Sequence, residues 1–364
     1  MQEALELAAQ ALFLSNPNPR VGCVIVSPAG EVVGRGFTQQ AGGPHAEVVA
    51  LRDAAAHGRD VRGATAWVTL EPCAHQGRTG PCCDALVAAG VARVVASLAD
   101  PNPLVSGQGF ARLRAAGVQV DVGPGAQASR ELNIGFFSRM ARARPWVRMK
   151  AATSLDGVTA LANGASQWIT SEPARADGHA WRARACAVLT GVGTVLADNP
   201  LLNVRGVATP RQPHLVVLDS HLRTPAAARL FEVPDRQVWI YTANADPTAA
   251  AALRARGAAV TVLPDASGGR VDLAALLRDL ARREVNELHV EAGHELNGAF
   301  LRLGLVDELL LYLAPVLLGS GARGLAHWGP LTALSEAQRL TWREVRQVGA
   351  DLRVLARVEG REDF

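Results

Sequence analysis

Excess charge of one sign is the first thing this sequence lacks: 37 Lys and Arg stand against 34 Asp and Glu, a formal net charge of +3 over 364 residues. A surface built to hold nucleic acid or an anionic membrane carries a larger basic surplus, so the expected partner is a small molecule. Lysine is nearly absent. Lys150 is the only one, and a biased base composition explains the preference for arginine as well as any binding role does. Cysteine is sparse, odd in number and unevenly spaced (Cys23, Cys73, Cys82, Cys83, Cys186), which excludes a disulfide framework and fits a reducing cytoplasm. No apolar stretch is long and uninterrupted enough to span a bilayer, and there is no internal repeat or low-complexity tract. The opening segment from Met1 to Leu14 carries Glu3 and Glu6 with Leu5, Ala8, Ala9 and Leu12 at helical spacing, the pattern of a surface helix rather than of a signal peptide.

What is present is an alternation of two periods. Strand-like runs at Val21 to Val26, Ala66 to Leu70, Val94 to Leu98 and Val118 to Val122 alternate with alanine-rich helical stretches, which predicts a layered α/β domain. A helix is expected from Ala126 to Ala143, where a basic segment and Pro145 end it and set a domain boundary at about 145. The alternation then restarts, with strands near Trp146 to Ala152, Ala187 to Thr190, Leu215 to Leu218, Val238 to Tyr241, Ala259 to Leu263, Leu288 to Val290, Glu308 to Leu313 and Leu352 to Val358. Helices fall between them, at Glu172 to Ala185 and Asp272 to Arg283. A length of 364 residues and an apolar fraction of 49% suit two globular domains, 1–145 and 146–364.

The chemistry concentrates in the first of them. His45-Ala46-Glu47 opens a predicted helix after Gly42-Gly43-Pro44; Glu71-Pro72-Cys73 follows a strand; Pro81-Cys82-Cys83 starts another helix. One imidazole and two thiolates supply three ligands to Zn²⁺ and leave the fourth tetrahedral position for water. Zinc lowers the pKa of that water, and a nearby carboxylate that is not a ligand, Glu47, can carry its proton to a departing amine. H-x-E followed by P-C-x-x-C is the signature of zinc deaminases. Here eight residues separate Cys73 from Cys82 instead of two, and Cys82 or Cys83 could supply the second thiolate; Cys82, directly after Pro81, is the expected ligand. Cys23 and Cys186 lie in apolar surroundings and read as core.

The segment Cys73-Ala-His-Gln-Gly-Arg-Thr-Gly-Pro-Cys82, with Asn16-Pro-Asn-Pro-Arg-Val-Gly22 before it and Asp100-Pro-Asn-Pro103 after it, resembles the bifunctional riboflavin-biosynthesis deaminase/reductases. Lys150-Ala-Ala-Thr-Ser-Leu-Asp-Gly157, Gly164-Ala-Ser-Gln-Trp-Ile-Thr170, Gly191-Val-Gly-Thr-Val-Leu-Ala-Asp198 and Glu291-Ala-Gly-His-Glu295 extend the resemblance over nearly the whole chain. It implies a cytidine-deaminase-like three-layer domain followed by a dihydrofolate-reductase-like domain with a mixed, largely parallel sheet. The implied activities are deamination of a diamino-hydroxy-phosphoribosylamino-pyrimidine and NADPH-dependent reduction of its ribose to a ribityl chain. Carried over residue by residue, His45, Cys73 and Cys82 match zinc ligands, Glu47 the proton shuttle, and Arg78, Asp100 and Asn102 residues near the ribose phosphate. Ala152, Trp168, Thr194, Asp198 and the run Gly293, His294, Glu295, Leu296, Asn297, Gly298 and Ala299 fall at cofactor positions. Ser166, Arg182, Leu202, Arg205 and Glu291 fall at substrate positions. Gly80 stands where the family usually has proline, Val158 where a basic residue is common, and Asn199 where the second aspartate of D-D-P is usual.

Read without the family, these second-domain motifs say less. Gly191-Val-Gly193 lacks the third glycine of a Rossmann fingerprint and equally marks a tight turn. Gly293 precedes a helix whose N-terminus suits a phosphate, although a close backbone crossing explains a glycine there as well. Trp168 can stack on a cofactor ring or fill core, and Leu309 to Leu318 can pair across a two-fold axis in a homo-oligomer or form a central strand. Two rivals remain at this point: a nucleoside or nucleic-acid deaminase with an accessory domain, and a binding protein with a structural zinc that recruits Cys83 as a fourth ligand.

Overall fold

A computed structural model describes residues 1–74, 80–103, 105–244 and 246–364. The chain divides into two compact units, Met1–Ala143 and Arg144–Phe364.

In the first unit five strands, β1 (Gly22–Val26), β2 (Val32–Phe37), β3 (Thr65–Val68), β4 (Arg93–Ala96) and β5 (Gln119–Val122), form one sheet in the order β2-β1-β3-β4-β5. β1 is antiparallel to β2 and β3, whereas β3, β4 and β5 run parallel. Helices α1 (Gln2–Gln10), α2 (Ala46–Ala56), α3 (Cys82–Ala88), α4 (Gln108–Ala115), α5 (Ala126–Leu132) and α6 (Ile134–Arg142) complete the unit. Strand β2 escapes a reading by hydrophobic pattern because glycine is depleted in strands. Its glycines answer to tertiary packing: a Cβ on Gly36 would lie 2.3 Å from the Ala46 carbonyl oxygen, so only glycine lets α2 settle onto β2. That contact fixes the start of α2, where His45 and Glu47 sit.

The single helix expected over Ala126 to Ala143 is two helices interrupted at Asn133. The Asn133 side chain accepts a hydrogen bond from the Arg20 amide (2.7 Å) and donates one to the Arg20 carbonyl (2.9 Å), and its φ of −112° departs from the helical value. An asparagine that pairs with distant backbone in this way competes with helix continuation.

The second unit holds a nine-stranded sheet. Its strands are β6 (Trp146–Ser154), β8 (Ala187–Gly191), β9 (His214–Leu218), β10 (Val238–Thr242), β11 (Ala258–Val262), β12 (Glu287–Val290), β13 (Glu308–Ala314), β15 (Leu340–Val348) and β16 (Asp351–Val358). A separate two-stranded sheet joins β7 (Val158–Ala160) to β14 (Arg323–Gly324). The large sheet runs β11-β10-β9-β8-β12-β6-β13-β16-β15, parallel as far as β13 and antiparallel across β16 and β15. This is the mixed, largely parallel arrangement that was expected. Leu309 to Leu313 belong to an interior strand between β6 and β16, so these residues are central and not available for pairing across a two-fold axis. β15 was missed because it reads Leu-Thr-Trp-Arg-Glu-Val-Arg-Gln-Val; as the outermost strand it is largely exposed and has no continuous apolar face.

Helices α7 (Glu172–Arg184), α8 (Val192–Asp198), α9 (Pro247–Ala255), α10 (Leu273–Arg282) and α11 (His294–Arg302) connect the strands. Strand alternation sorts the residues of β6 between two faces. Val147 and Met149 join a core with Leu189, Leu277, Leu288 and Phe300. Arg148 faces the other way, pairs with Glu287 at 2.9 Å and Glu308 at 2.6 Å, and lies 4.5 Å from the ring of Trp181 on α7. Lys150, two residues further along the same face, reaches the cavity described below.

Candidate active sites

Three chain segments converge in the first unit. His45 is the residue at which the chain turns into α2, Cys73 lies in the loop after β3, and Cys82 opens α3. The His45 Nδ1 stands 3.2 Å from the Cys82 Sγ and 3.5 Å from the Cys73 Sγ, and the three ligand atoms lie within 4.8 Å of one another. Zn–N near 2.0 Å and Zn–S near 2.3 Å at tetrahedral angles require N···S separations of about 3.6 Å, so the donor set fits zinc in both size and softness. Cys83 is not part of it: its thiol faces Asp84 (3.7 Å) and is pushed up to about 11, by burial first and then by the Asp84 charge. Hydrogen bonding from Cys82 and then from His45 lowers the pKa of the Cys73 thiol; the Cys82 amide also donates to its sulfur at 3.4 Å.

Glu47, in the first turn of α2, is 3% exposed. Burial, reinforced by the Cys73 charge, raises its carboxyl to about 7, the range in which a group both takes and gives a proton near neutrality. Asp100 is also pushed up to about 7, by burial and then by the Glu71 and Cys73 charges, and its carboxylate accepts from the Asn102 amide at 2.8 Å. Arg78 falls outside the described residues.

Glu71 is a residue whose part the sequence did not reveal. Buried, it accepts hydrogen bonds from the backbone amides of Asp100 (3.1 Å), Gly107 (3.0 Å) and Phe110 (3.2 Å), and so ties the loop bearing Asp100 and Asn102 to the strand end that leads to Cys73. The packing is tight: a Cβ on Gly109 would lie 1.9 Å from the Pro72 carbonyl oxygen.

In the second unit a cavity of about 1020 Å³ opens at the C-terminal ends of β6, β8 and β12. Ligands of open α/β sheets bind outside the carboxyl ends of their strands. Of the residues expected at cofactor positions, Ala152, Trp168, Thr194, Asp198, Gly293, His294, Glu295, Leu296 and Asn297 line it. Ser166, Arg182, Leu202, Arg205 and Glu291 line it as well. Gly298 and Ala299 do not. A Cβ on Gly298 would meet the His327 carbonyl oxygen at 2.0 Å, and Ala299 packs against the hydrophobic core, so both serve the seating of α11.

Trp168 is not core: it is 71% exposed, with the Arg175 guanidinium 4.5 Å from its ring. Glu291 closes the end of β12. Arg182 Nη2 donates to its Oε2 at 2.8 Å and Arg182 Nε to its Oε1; Lys150 Nζ lies 3.6 Å away and the buried His289 Nε2 3.3 Å away. Burial alone would raise this carboxyl, but the Arg182 and Lys150 charges prevail and hold it well below the usual carboxylate range. Asn199 has a left-handed backbone (φ 41°) at the end of α8, a position that asparagine tolerates well, and its side chain accepts the Arg229 amide at 2.9 Å. Val158 is buried in β7.

The model of the cytidine and deoxycytidylate deaminase zinc-binding region matches residues 1–98, and that of the RibD C-terminal domain matches residues 145–354. The riboflavin biosynthesis protein RibD of Escherichia coli is 46% identical, with 97% of this chain and 96% of the relative covered. The one from Aquifex aeolicus is 39% identical, over 97% and 96%. Among solved structures, RibD of Acinetobacter baumannii superimposes with a TM-score of 0.90 at 40% identity, covering 98% of this chain and 97% of that one. A diaminohydroxyphosphoribosylaminopyrimidine deaminase/5-amino-6-(5-phosphoribosylamino)uracil reductase from Thermotoga maritima gives 0.86 at 33% identity, again over 98% and 97%. Fold, His/Cys/Cys ligand set and cavity, with these relatives, define a two-domain enzyme that joins a zinc-dependent deaminase to a reductase. The chain belongs to the RibD family of bifunctional riboflavin biosynthesis proteins. Among the described residues no helix is long and apolar enough to cross a membrane.

Proposed function

We propose that residues 1–145 deaminate 2,5-diamino-6-(5-phosphoribosylamino)pyrimidin-4-one and that residues 146–364 reduce the ribosyl group of the resulting 5-amino-6-(5-phosphoribosylamino)uracil to ribityl with NADPH. The observation that carries the reading is a three-member His/Cys/Cys set beside a buried carboxylate outside it. A structural zinc would call for a fourth protein ligand, and Cys83 is turned to Asp84.

His45, Cys73 and Cys82 hold zinc, which when bound acts as a Lewis acid and brings the pKa of water to about 7. Glu47 takes the proton of the attacking water and returns it to the departing amino nitrogen; its pKa near 7 suits both transfers. Asp100 and Asn102, with Arg78, meet the substrate's ribose phosphate. In the second unit NADPH supplies the hydride. Ala152, Trp168, Thr194, Asp198 and the segment from Gly293 to Asn297 hold it, while Ser166, Leu202 and Arg205 hold the substrate. Glu291, kept ionised by Arg182 and Lys150, accepts hydrogen bonds from the sugar. The partners are small molecules and the setting is the cytoplasm.

The test is an assay of purified, zinc-loaded protein with the diamino-pyrimidine ribotide, following ammonia with and without NADPH and then NADPH oxidation. Ammonia release followed by substrate-dependent NADPH loss is expected. Absence of both would return the reading to a nucleoside deaminase.

A further inference from the structure

Three of the residues that line the second-unit cavity, Thr159, Ala160 and Arg323, belong to the ribbon of β7 and β14 and not to the large sheet. After β13 the chain runs out through Val316 and Leu317, 41% and 73% exposed, and then through Gly319 and Gly321, both with a φ of 81°, which glycine adopts freely but which stiffens nothing. A segment with so little buried apolar surface depends on its hydrogen bonds. At the near end these meet at Asp156, which does not line the cavity. Its carboxylate accepts the amides of Leu318 (3.1 Å) and Gly319 (2.8 Å) and the hydroxyl of Ser154, whose oxygen in turn accepts the Val158 amide at 3.0 Å. The Ser154 hydroxyl first, then the two amides, hold this carboxyl below the usual carboxylate range, so the bonds it receives are charge-assisted. Midway, the Thr159 hydroxyl donates to the Arg323 carbonyl at 3.1 Å and the Leu325 amide to the Gly157 carbonyl at 3.1 Å. At the far end Asn297 Nδ2 donates to the Leu325 carbonyl (3.0 Å) and the His327 amide to the His294 carbonyl (2.9 Å), which ties the ribbon to the start of α11.

We propose that Asp156 is a positioning residue of the reductase: standing outside the cavity, it holds the β7–β14 ribbon in place as one wall of the NADPH site. The inference rests on the reductase reading above and deepens it, because it names a residue remote from the ligands on which cofactor affinity depends. The cofactor is the ligand concerned, since the ribbon's far end is fastened to His294 and Asn297, within the segment from Gly293 to Asn297 that holds NADPH in that reading. One carboxylate serves both strands of the ribbon. Through Ser154 it fixes where β7 begins, and through Leu318 and Gly319 it fixes the path by which the chain leaves β13 for β14. Without it NADPH must itself order the ribbon, and the apparent affinity falls by the fraction of molecules in which the wall already stands.

The experiment compares wild type, Asp156→Ala and Asp156→Asn in reductase kinetics, varying NADPH at saturating ribosyl uracil and then the reverse, and in limited trypsin digestion, with cleavage after the exposed Arg323 followed by mass spectrometry. Ammonia release by the first unit of the same molecules reports that it is folded and loaded with zinc. Asp156→Ala should raise the NADPH KM about tenfold while kcat and the KM for the ribosyl uracil change about twofold or less. Asp156→Asn, which keeps one acceptor oxygen, should restore part of the affinity. Cleavage after Arg323 should quicken in Asp156→Ala without nucleotide and slow again when NADPH is added. An unaltered NADPH KM, equal rises in both KM values, unchanged cleavage at Arg323, or a lower kcat at unchanged KM, which a partly unfolded sample gives, overturns the proposal. Failure of the reductase reading looks different: wild type neither oxidises NADPH with the ribosyl uracil nor is protected by it at Arg323, and the assignment of the ribbon to the cofactor falls with it.

Discussion

Glu291→Gln keeps the side chain's size and removes one charge from a group of four. In the native chain the carboxylate receives two hydrogen bonds from Arg182 and lies 3.6 Å from Lys150 and 3.3 Å from His289. Removing one member of a buried ion pair costs about 3–5 kcal/mol, because the surviving charge is left uncompensated. Arg182 retains the Asn203 carbonyl as an acceptor at 3.0 Å, and the cluster borders an open cavity, so the expected loss is smaller, about 2–3 kcal/mol. The pH dependence has a definite sign. Glu291 titrates lower in the native state than in the unfolded chain, so its contribution is complete above an unfolded-state pKa of about 4.3 and disappears as pH falls through the native value. The gap between wild type and variant therefore stays constant around and above neutrality and closes in acid. Urea unfolding followed by tryptophan fluorescence measures it, since every tryptophan except Trp67 lies in the second unit. A variant within about 0.5 kcal/mol of wild type at neutral pH, or a gap that widens on acidification, would refute the argument.

Other outcomes follow from the first unit. Glu47→Gln keeps its zinc, as metal analysis should show, and loses about a hundred- to ten-thousand-fold of its deaminase rate; a metal-free variant would contradict the shuttle assignment. Cys82→Ser loses zinc and ammonia release while Cys83→Ser keeps both, because the Cys83 thiol faces Asp84. Gly109→Ala pushes a methyl group against the Pro72 carbonyl and loosens the loop held by Glu71. Its deaminase KM should rise and its thermal midpoint fall, whereas unchanged kinetics would sever Glu71 from the substrate loop.

How much of this was legible in the sequence depended on whether a residue's role was local. His45, Cys73 and Cys82 sit at element boundaries marked by Gly43-Pro44, Pro72 and Pro81, so their convergence could be expected from turn signals, ligand type and the deaminase signature. Strands whose side chains face a core were found for the same reason. β2 and β15 were not, because one is shaped by the close approach of α2 and the other lies at an exposed edge. Asn133 ends a helix by bonding to Arg20, 113 residues away, and no helix-stop rule contains that distance. Glu71 shares this character: it binds amides 29 to 39 residues downstream. The reductase cavity was located by motif, but the reason Glu291 stays charged appears only once β6, β12 and α7 are placed side by side.

The central claim is that one chain carries out both steps in succession, and the product of a single incubation tests it most directly. Purified protein with zinc, NADPH and the diamino-pyrimidine ribotide should yield, by mass spectrometry, a compound that has exchanged its 2-amino group for oxygen, keeps its 5-amino group and carries a ribityl chain, with the ribosyl uracil as a transient. A product that keeps the 2-amino group, or a ribosyl uracil that accumulates while NADPH stays untouched, would contradict it.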